Sequence, residues 1–511
     1  MPATVLQDTT LFLSTYPLTS LLTFIFLVSI SYIIYQTVLH PLARFPGPII
    51  CSLSDSYKLW ITATDCVPEA MVALHAKYGD IVRIGPSDLH FNQPEAVEGI
   101  YKRGWPKGDF YLGFDQKNPG LFSERNEVVH GKRKRMFGNN FTPTAIRSYE
   151  SIVDGRYAIL RKQLDRFAES GEVFDLRKYI TYCIVDILGE LAFSEAFGNQ
   201  DDEDPKKIPR VSEALWSCCV AGSMPSMAGA MEWLKDHLPQ SAEVAELLEG
   251  RNVIFRLALT NIEKRSKKLN LDERPDMLGR IIAASEEGTG AKLTQAQVMA
   301  EAITLVVGGT HTTGNTLHLL FANLARNEEY LKRCVKEIDE RLPALEVGKP
   351  CYEITGLEEK LDFVKACIKE NFRKDPVGTF NMPRTVPEQG ASIAGVQIPA
   401  GTQVSMNIHA FHHNPSVWGP DHDVFDPDRW YDQRNDGLSN LVIPYSVGKR
   451  SCVGQNLANA NVLKMTTTLL RCYEFEFVNK DEPMVVVSHG DSDLRTPVLV
   501  KVKRRGPVFA G

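Results

Sequence analysis

"YSVGKRSCVGQ", residues 445–455, sets Cys452 between Gly448 and Gly454, just behind Lys449 and Arg450. A cysteine kept for packing belongs among apolar side chains, where it behaves as a small hydrophobe. The neighbours here are cations and residues that leave the backbone free to bend. "VGQNLANANVLKM" follows and reads as a helix beginning near Gly454. The first N–H groups of a helix and a nearby guanidinium both favour a thiolate over a thiol. A structural cysteine would need neither.

The other nine cysteines (Cys51, Cys66, Cys183, Cys218, Cys219, Cys334, Cys351, Cys367 and Cys472) show no C-x-x-C spacing. Zinc ribbons, redox dithiols and a disulfide framework are unsupported, and a reducing compartment fits. The 511 residues are 43% hydrophobic, enough for a large core. A net charge of -6, with no long basic run before "KVKRR" near the C-terminus, gives no nucleic-acid footprint.

From Thr9 to Ala43 there is no Lys, Arg, Asp or Glu. A membrane span needs about 20 mainly apolar residues. A cleaved signal peptide would want a basic N-terminal region, but Asp8 is the only charge ahead of the run. Residues 1–40 are therefore expected to be a retained, single-pass anchor that adds nothing to the core. Arg44 follows it, so the positive-inside bias leaves the body of the chain in the cytosol. Prolines 41, 46 and 48 end the anchor and stiffen a hinge over 41–48. Nothing from 49 to 511 reads as a linker, which predicts one domain.

Within that domain, "DIVRIGPSDLHF" at 80–91 alternates as strands around a Gly-Pro turn, and 382–411 is the second β-rich stretch. Most of 142–375 carries helical periodicity. The fold class is mainly α with a small β portion (α+β), the sheet being built from both ends of the chain. The longest helical segment is 294–342, opened by a Thr294/Gln297 capping-box pattern. Its middle, "GGTHTTGNT", is unfavourable for a helix, since Gly alone costs about 1 kcal/mol relative to Ala. Either two helices meet there, or one helix is locally opened to admit something bound against it. Resumed periodicity in "LHLLFANLA" favours the second.

"KACIKENFRKDP" puts Glu370 and Arg373 three residues apart on one helix face, a spacing that is usually a surface ion pair. "NPSVWGPDHDVFDPDRW" sets Arg429 among prolines and aromatics. In this order and spacing, these stretches and the cysteine loop resemble the cytochrome P-450 haem-thiolate monooxygenases over essentially the whole chain. The fungal microsomal members, including benzoate hydroxylase-like ones, are resembled through "GLFSERNEVVHGKRKRMFGNNFTPTAI".

The resemblance implies a cytochrome P-450 fold behind a transmembrane helix, with 49–511 as the catalytic domain. It implies heme b with Cys452 as axial thiolate, which pushes electron density to the iron as it does across that family. Glu370, Arg373 and Arg429 would form a buried structural network. His130, Lys134, Arg384 and Arg450 match the positions that hold the haem propionates. Thr312 matches the oxygen-activating threonine, while His311 replaces the family's acid. His311 then either shares in proton delivery or is a packed or solvated histidine. Tyr445 replaces a phenylalanine at the start of the cysteine loop.

Electrons would come from NADPH through a separate NADPH-cytochrome P-450 reductase, docking on "HGKRKR" and Lys449. The location implied is the endoplasmic reticulum membrane, with the catalytic domain cytosolic. The expected reaction inserts one oxygen atom into an apolar or aromatic small molecule, as a hydroxylase of fungal secondary metabolism. Aromatic-acid (benzoate-like) hydroxylation in catabolism is the alternative. A reductase-independent haem-thiolate isomerase or dehydratase would tend to lose Thr312, and a haem sensor would not need the anchor. "GWPKGDFYLGFDQKNPG" at 104–120 and Phe380 are expected to cover the substrate, and the Met-rich 218–233 is either an access region or a buried helix. "HAFHHN" reads as a loop at the sheet's end, not a metal site.

Overall fold

The computed structural model describes residues 17–114, 118–204, 211–224, 242–267, 276–285, 290–346, 348–432, 437–488 and 490–506. Helix α1, Pro17–Ile34, is continued by one π-turn, Tyr35–Leu39. Leu18–Leu39 is the one helix among the described residues long and apolar enough to cross a membrane, and its most apolar stretch is not buried in the body. The start of the uncharged run, from Thr9, lies outside the described residues.

The last turn of this segment does dock, against the expectation that the anchor adds nothing. Gln36 is buried, and Arg83 donates from Nη1 to its carbonyl and from Nη2 to its Oε1, both at 2.7 Å. The hinge is pinned as well. Arg83 N donates to Pro46 O at 2.7 Å, and a Cβ on Gly47 would fall 2.3 Å from Arg83 O. Leu42 is buried in a core cluster with Phe91 and Ile100. An amide such as Gln36 needs hydrogen-bond partners that hydrocarbon cannot supply, and the body supplies them.

The small sheet joins both ends of the chain, as expected. Strands β1 (Ile81–Gly85) and β2 (Asp88–Phe91) form an antiparallel hairpin. β2 pairs parallel with β4 (Gln403–Ser405), which pairs antiparallel with β3 (Arg384–Thr385). "HAFHHN" is a helical turn, Ile408–His412, rather than a loop, and no metal-binding cluster occurs among the described residues.

The helices that build the site are α2 (Glu127–Gly138), α3 (Leu176–Phe193), α4 (Val211–Ser223), α5 (Gln295–Arg326), α6 (Asp362–Lys374) and α7 (Gln455–Cys472). α3 is apolar on nearly every face, so it is buried almost throughout and packs on α5. At 32 residues, α5 crosses the whole domain, about 1.5 Å per residue. Its capping box forms: Gln297 N donates to Thr294 Oγ1 and Thr294 N to Gln297 Oε1.

Two expectations for this region need correction. Residues 294–342 are not one helix; Asn327 (φ -126°, ψ 69°) turns the chain, and a second helix runs Glu328–Arg341. Nor is the Gly/Thr stretch an opened turn, because α5 is α-helical from end to end. Its threonines are satisfied locally: Thr310, Thr312 and Thr316 each donate to the carbonyl four residues back at 2.8–2.9 Å. The glycines supply room. A Cβ on Gly309 would strike Leu188 Cδ1 of α3 at 2.7 Å, while Gly308 borders open space.

Near the C-terminus, β5 (Val486–Ser488) and β6 (Ser492–Leu494) form an antiparallel hairpin. Its tip is stitched to the chain after α6. Thr379 N donates to Gly490 O at 2.9 Å, and Ser492 N to Val377 O at 2.6 Å.

Candidate haem-thiolate active site

A cavity of about 1380 Å³ lies between α3, α5 and the cysteine loop. Small-molecule pockets usually measure about 300–1,000 Å³, so this one has room for a prosthetic group and a substrate together. Cys452 lines it, as do Gly308, Gly309 and Thr312 of α5 and Phe122 and Phe380.

The cysteine loop is shaped as the sequence requires. Gly448 has φ +75°, and a Cβ there would meet Tyr101 O at 2.4 Å. Cys452 N donates to Tyr445 O at 2.8 Å, closing the loop. Burial pushes the Cys452 thiol up, while N–H groups of Gly454 and Gln455 and the ammonium of Lys134 oppose that. The cation acting on the sulfur is thus Lys134, where the sequence suggested Arg450. The Arg450 guanidinium is taken by Glu127 Oε1 at 2.6 Å and by the carbonyls of Glu124 and Arg125. It ties the loop to the start of α2. The Tyr445 hydroxyl, the departure at the loop's start, donates to Asn459 Oδ1 of α7 at 2.7 Å.

His130, Lys134, Arg384 and Arg450 all line the cavity. Lys134 donates to Lys449 O, Ser451 O and Ser451 Oγ at 2.9–3.2 Å, so its ammonium braces the cysteine loop. Arg384, almost wholly buried, lies over the Tyr101 ring at 5.0 Å. A fifth cation, Lys107, went unrecognised in sequence. It is buried, donates to Phe122 O and sits 4.1 and 4.3 Å from the Tyr111 and Phe122 ring centroids. Burial, then Arg384 and Arg450, push its ammonium well below the usual lysine range. Burial, then Arg450 and Lys107, take His130 down to about 3. His130 is then a neutral donor, while the guanidinium groups of Arg384 and Arg450, gathered out of water with Lys107, call for an anionic occupant. The two propionates of haem would fit this donor set, and Cys452 would hold its iron.

Glu370, Arg373 and Arg429 are brought together and buried. Arg373 Nη2 donates to Glu370 Oε1 at 2.7 Å, Arg429 Nε to the same oxygen at 3.0 Å, and Asp426 N at 3.1 Å. Burial pushes the Glu370 carboxyl up, and these donors oppose it. Arg373 also donates to His412 O, His422 O and Val424 O. The set ties α6 to the irregular segment around 418–430 and does not line the cavity.

On the distal side the two expected residues part company. Thr312 faces the cavity; His311 is not among the lining residues. His311 Nε2 accepts from Asn315 Nδ2 at 2.9 Å, and its Nδ1 lies 3.7 Å from Asp491 Oδ2 at the hairpin tip. Glu301, two turns before the glycines, is buried and accepts from Leu121 N at 3.0 Å, with Arg133 Nη1 at 3.5 Å. Burial raises its carboxyl to about 7. Arg133 is therefore buried, leaving Lys132, Arg135 and Lys449 as the exposed part of the basic stretches. Tyr111, Phe114, Phe122 and Phe380 line the cavity and stack or meet edge to face with one another and with Phe110. Of the Met-rich stretch, Cys218, Val220 and Ala221 in α4 line the cavity, and 225–233 lies outside the described residues.

Comparison with known proteins agrees with this geometry. Pisatin demethylase of Fusarium vanettenii is 28% identical over 468 residues, covering 90% of this chain and 86% of the relative. A cytochrome P450 monooxygenase (gsfF) of Penicillium aethiopicum is 28% identical over 498 residues, 93% of this chain and 96% of the relative. Benzoate 4-monooxygenase of Aspergillus niger is 27% identical over 463 residues, 85% and 87%. The family model described as Cytochrome P450 matches residues 55–503, and this chain belongs to that family.

Proposed function

We propose that this P450 is a membrane-anchored monooxygenase that inserts one atom of dioxygen into an apolar or aromatic small molecule. Electrons would come from NADPH through a separate NADPH-cytochrome P-450 reductase. Haem, when bound, supplies the dioxygen chemistry. The observation that carries the reading is one cavity lined by Cys452, by Thr312, by the guanidinium groups of Arg384 and Arg450, and by the nitrogen donors of His130 and Lys107.

The residues have separable tasks. Cys452 would bind the iron, and Gly454, Gln455 and Lys134 stabilise its thiolate. The cations would hold the propionates. Glu370, Arg373 and Arg429 keep α6 and the segment around 418–430 in place. Thr312 would hold a water or the dioxygen by its hydroxyl. The aromatic cover of Phe110, Phe114, Phe122 and Phe380 excludes water and suits a flat, apolar substrate. The α1 segment would place the enzyme on the endoplasmic reticulum with its body cytosolic. Relatives acting on pisatin and benzoate, by their names, support aromatic hydroxylation or demethylation, and we place the chain in fungal secondary metabolism.

The test uses the full chain with a reductase, NADPH and labelled dioxygen against a panel of apolar aromatics. Reduced protein under carbon monoxide should show the red-shifted Soret band of a thiolate-ligated haem, lost in Cys452→Ala. One labelled oxygen should enter the product. A substrate converted without reductase and without label would replace this reading with an isomerase or dehydratase.

A further inference from the structure

The acid normally expected beside the distal threonine is missing from α5, where His311 stands. Yet a carboxylate does line the cavity with Thr312, and it belongs to Asp491. Asp491 comes from the β5–β6 hairpin, far along the chain. Its side chain is 8% exposed, and its Oδ2 lies 3.7 Å from His311 Nδ1. His311 does not line the cavity, whereas the carboxylate next to it does.

The hairpin tip is built to hold this position. Ser488 Oγ and Thr379 Oγ1 are 2.6 Å apart, and Thr379 Oγ1 also donates to Gly490 O at 3.0 Å. Asp491 forms a backbone bridge with Gly378. A Cβ on Gly490 would fall 2.6 Å from Cys219 Sγ of α4, so the tip abuts that helix. On the other side, the Asn315 amide donates to His311 Nε2. That leaves the neutral ring's proton on Nδ1, the nitrogen that faces Asp491.

We propose that Asp491 is the acid that α5 lacks, passing protons from solvent into the cavity that Thr312 lines, with its carboxylate oriented by His311 Nδ1–H. The inference rests on the monooxygenase reading above. A proton leaves the Asp491 carboxyl for a cavity water, and solvent returns one to the carboxylate; the Nδ1–H of the neutral His311 ring stays in place and orients the carboxylate. At 3.7 Å the imidazole and the carboxylate lie beyond a direct hydrogen bond, so one water or a small rotation joins them, a separation that acid–base sites tolerate. Without substrate, the balance is simple. Dioxygen with two electrons and two protons gives peroxide; with four electrons and four protons it gives two waters. NADPH supplies the electrons, and the relay would supply protons for the second outcome.

Two measurements on the full-length holoenzyme test this. In the diamagnetic carbon monoxide form, nitrogen-15 spectra should show His311 as the Nδ1–H tautomer with a downfield ring proton. That signal should be lost in His311→Gln and displaced in Asp491→Asn. In substrate-free turnover with reductase and NADPH, Asp491→Asn should cut water formation by about a hundredfold in favour of peroxide, and Asp491→Glu should restore much of it. Both variants should keep the wild-type carbon monoxide spectrum, which reports the fold. If Thr312→Ala shifts the balance to peroxide while Asp491→Asn changes neither readout, the relay is wrong and the monooxygenase reading stands. If wild type oxidises no NADPH with reductase, the monooxygenase reading falls, and the relay built on it falls too.

Discussion

Arg83 grips Gln36 twice, by Nη1 to the backbone carbonyl and by Nη2 to the side-chain Oε1, each at 2.7 Å. Arg83 is 1% exposed, so a cation buried in the body is held by the end of the membrane-facing helix. The chain is thus pinned to the body at Gln36, at Leu42 and at Pro46.

Truncation should reveal that boundary. Deleting residues 1–30 should leave the thermal midpoint of the body unchanged. Deleting 1–40 removes Gln36 and His40 from Arg83, which keeps Pro86 O. The cost expected for orphaned charged donors is about 1–3 kcal/mol. Thermal melts of the two truncations in detergent decide it; equal midpoints would sink the docked-anchor reading.

The Glu370 network should be far costlier to break than a surface pair. Glu370→Ala leaves Arg373 and Arg429 buried around an empty position, worth about 3–5 kcal/mol. Arg333 and Asp428, bridged at 2.7 Å but both more than a third exposed, form the comparison. Arg333→Ala should cost at most about 1 kcal/mol. Haem content per protein, with denaturant melts, should fall for the first variant and hold for the second.

Glu301 predicts a pH dependence. Its carboxyl rises from an ordinary 4.5 to about 7 on folding. Between those values the unfolded chain has released the proton while the folded one keeps it, so stability falls as pH rises. The contribution is fully present below pH 4.5 and gone above about 7. Glu301→Gln removes the effect and should exceed wild type at pH 8 by up to about 3 kcal/mol. Urea midpoints of both proteins at pH 5 and pH 8 measure it; a constant difference would count against a buried, titrating Glu301.

The Thr312 hydroxyl donates to Gly308 O at 2.9 Å while facing the cavity. Thr312→Val should keep the carbon monoxide spectrum while sending NADPH electrons to peroxide, and Thr312→Ser should stay coupled. His311→Ala should slow turnover with a smaller loss of coupling. His311→Asp should not restore the usual acid, because it would set a second carboxylate against Asp491. Peroxide formed per NADPH consumed is the measurement, and a coupled Thr312→Val would remove the oxygen-activating role.

The local features were legible because short-range chemistry writes them. The tight cysteine loop follows from Gly448 and Gly454, the α5 start from Thr294 and Gln297, and the apolar span from the run of uncharged residues. The Gly/Thr stretch misled because glycines that break isolated helices can also clear space between packed ones. Leu188 of α3 occupies what a side chain at Gly309 would need.

Sequence alone determined the family, the mainly helical fold, the membrane-length helix and Cys452, since each is written in order, spacing and composition within short windows. Only the tertiary structure decided which cation acts on the sulfur, that Lys107 joins the polar cradle, and that Asp491 lines the cavity next to His311. Those relationships pair residues tens to hundreds of positions apart. Their energies depend on burial and on distances of a few ångströms, which packing sets and no local pattern encodes.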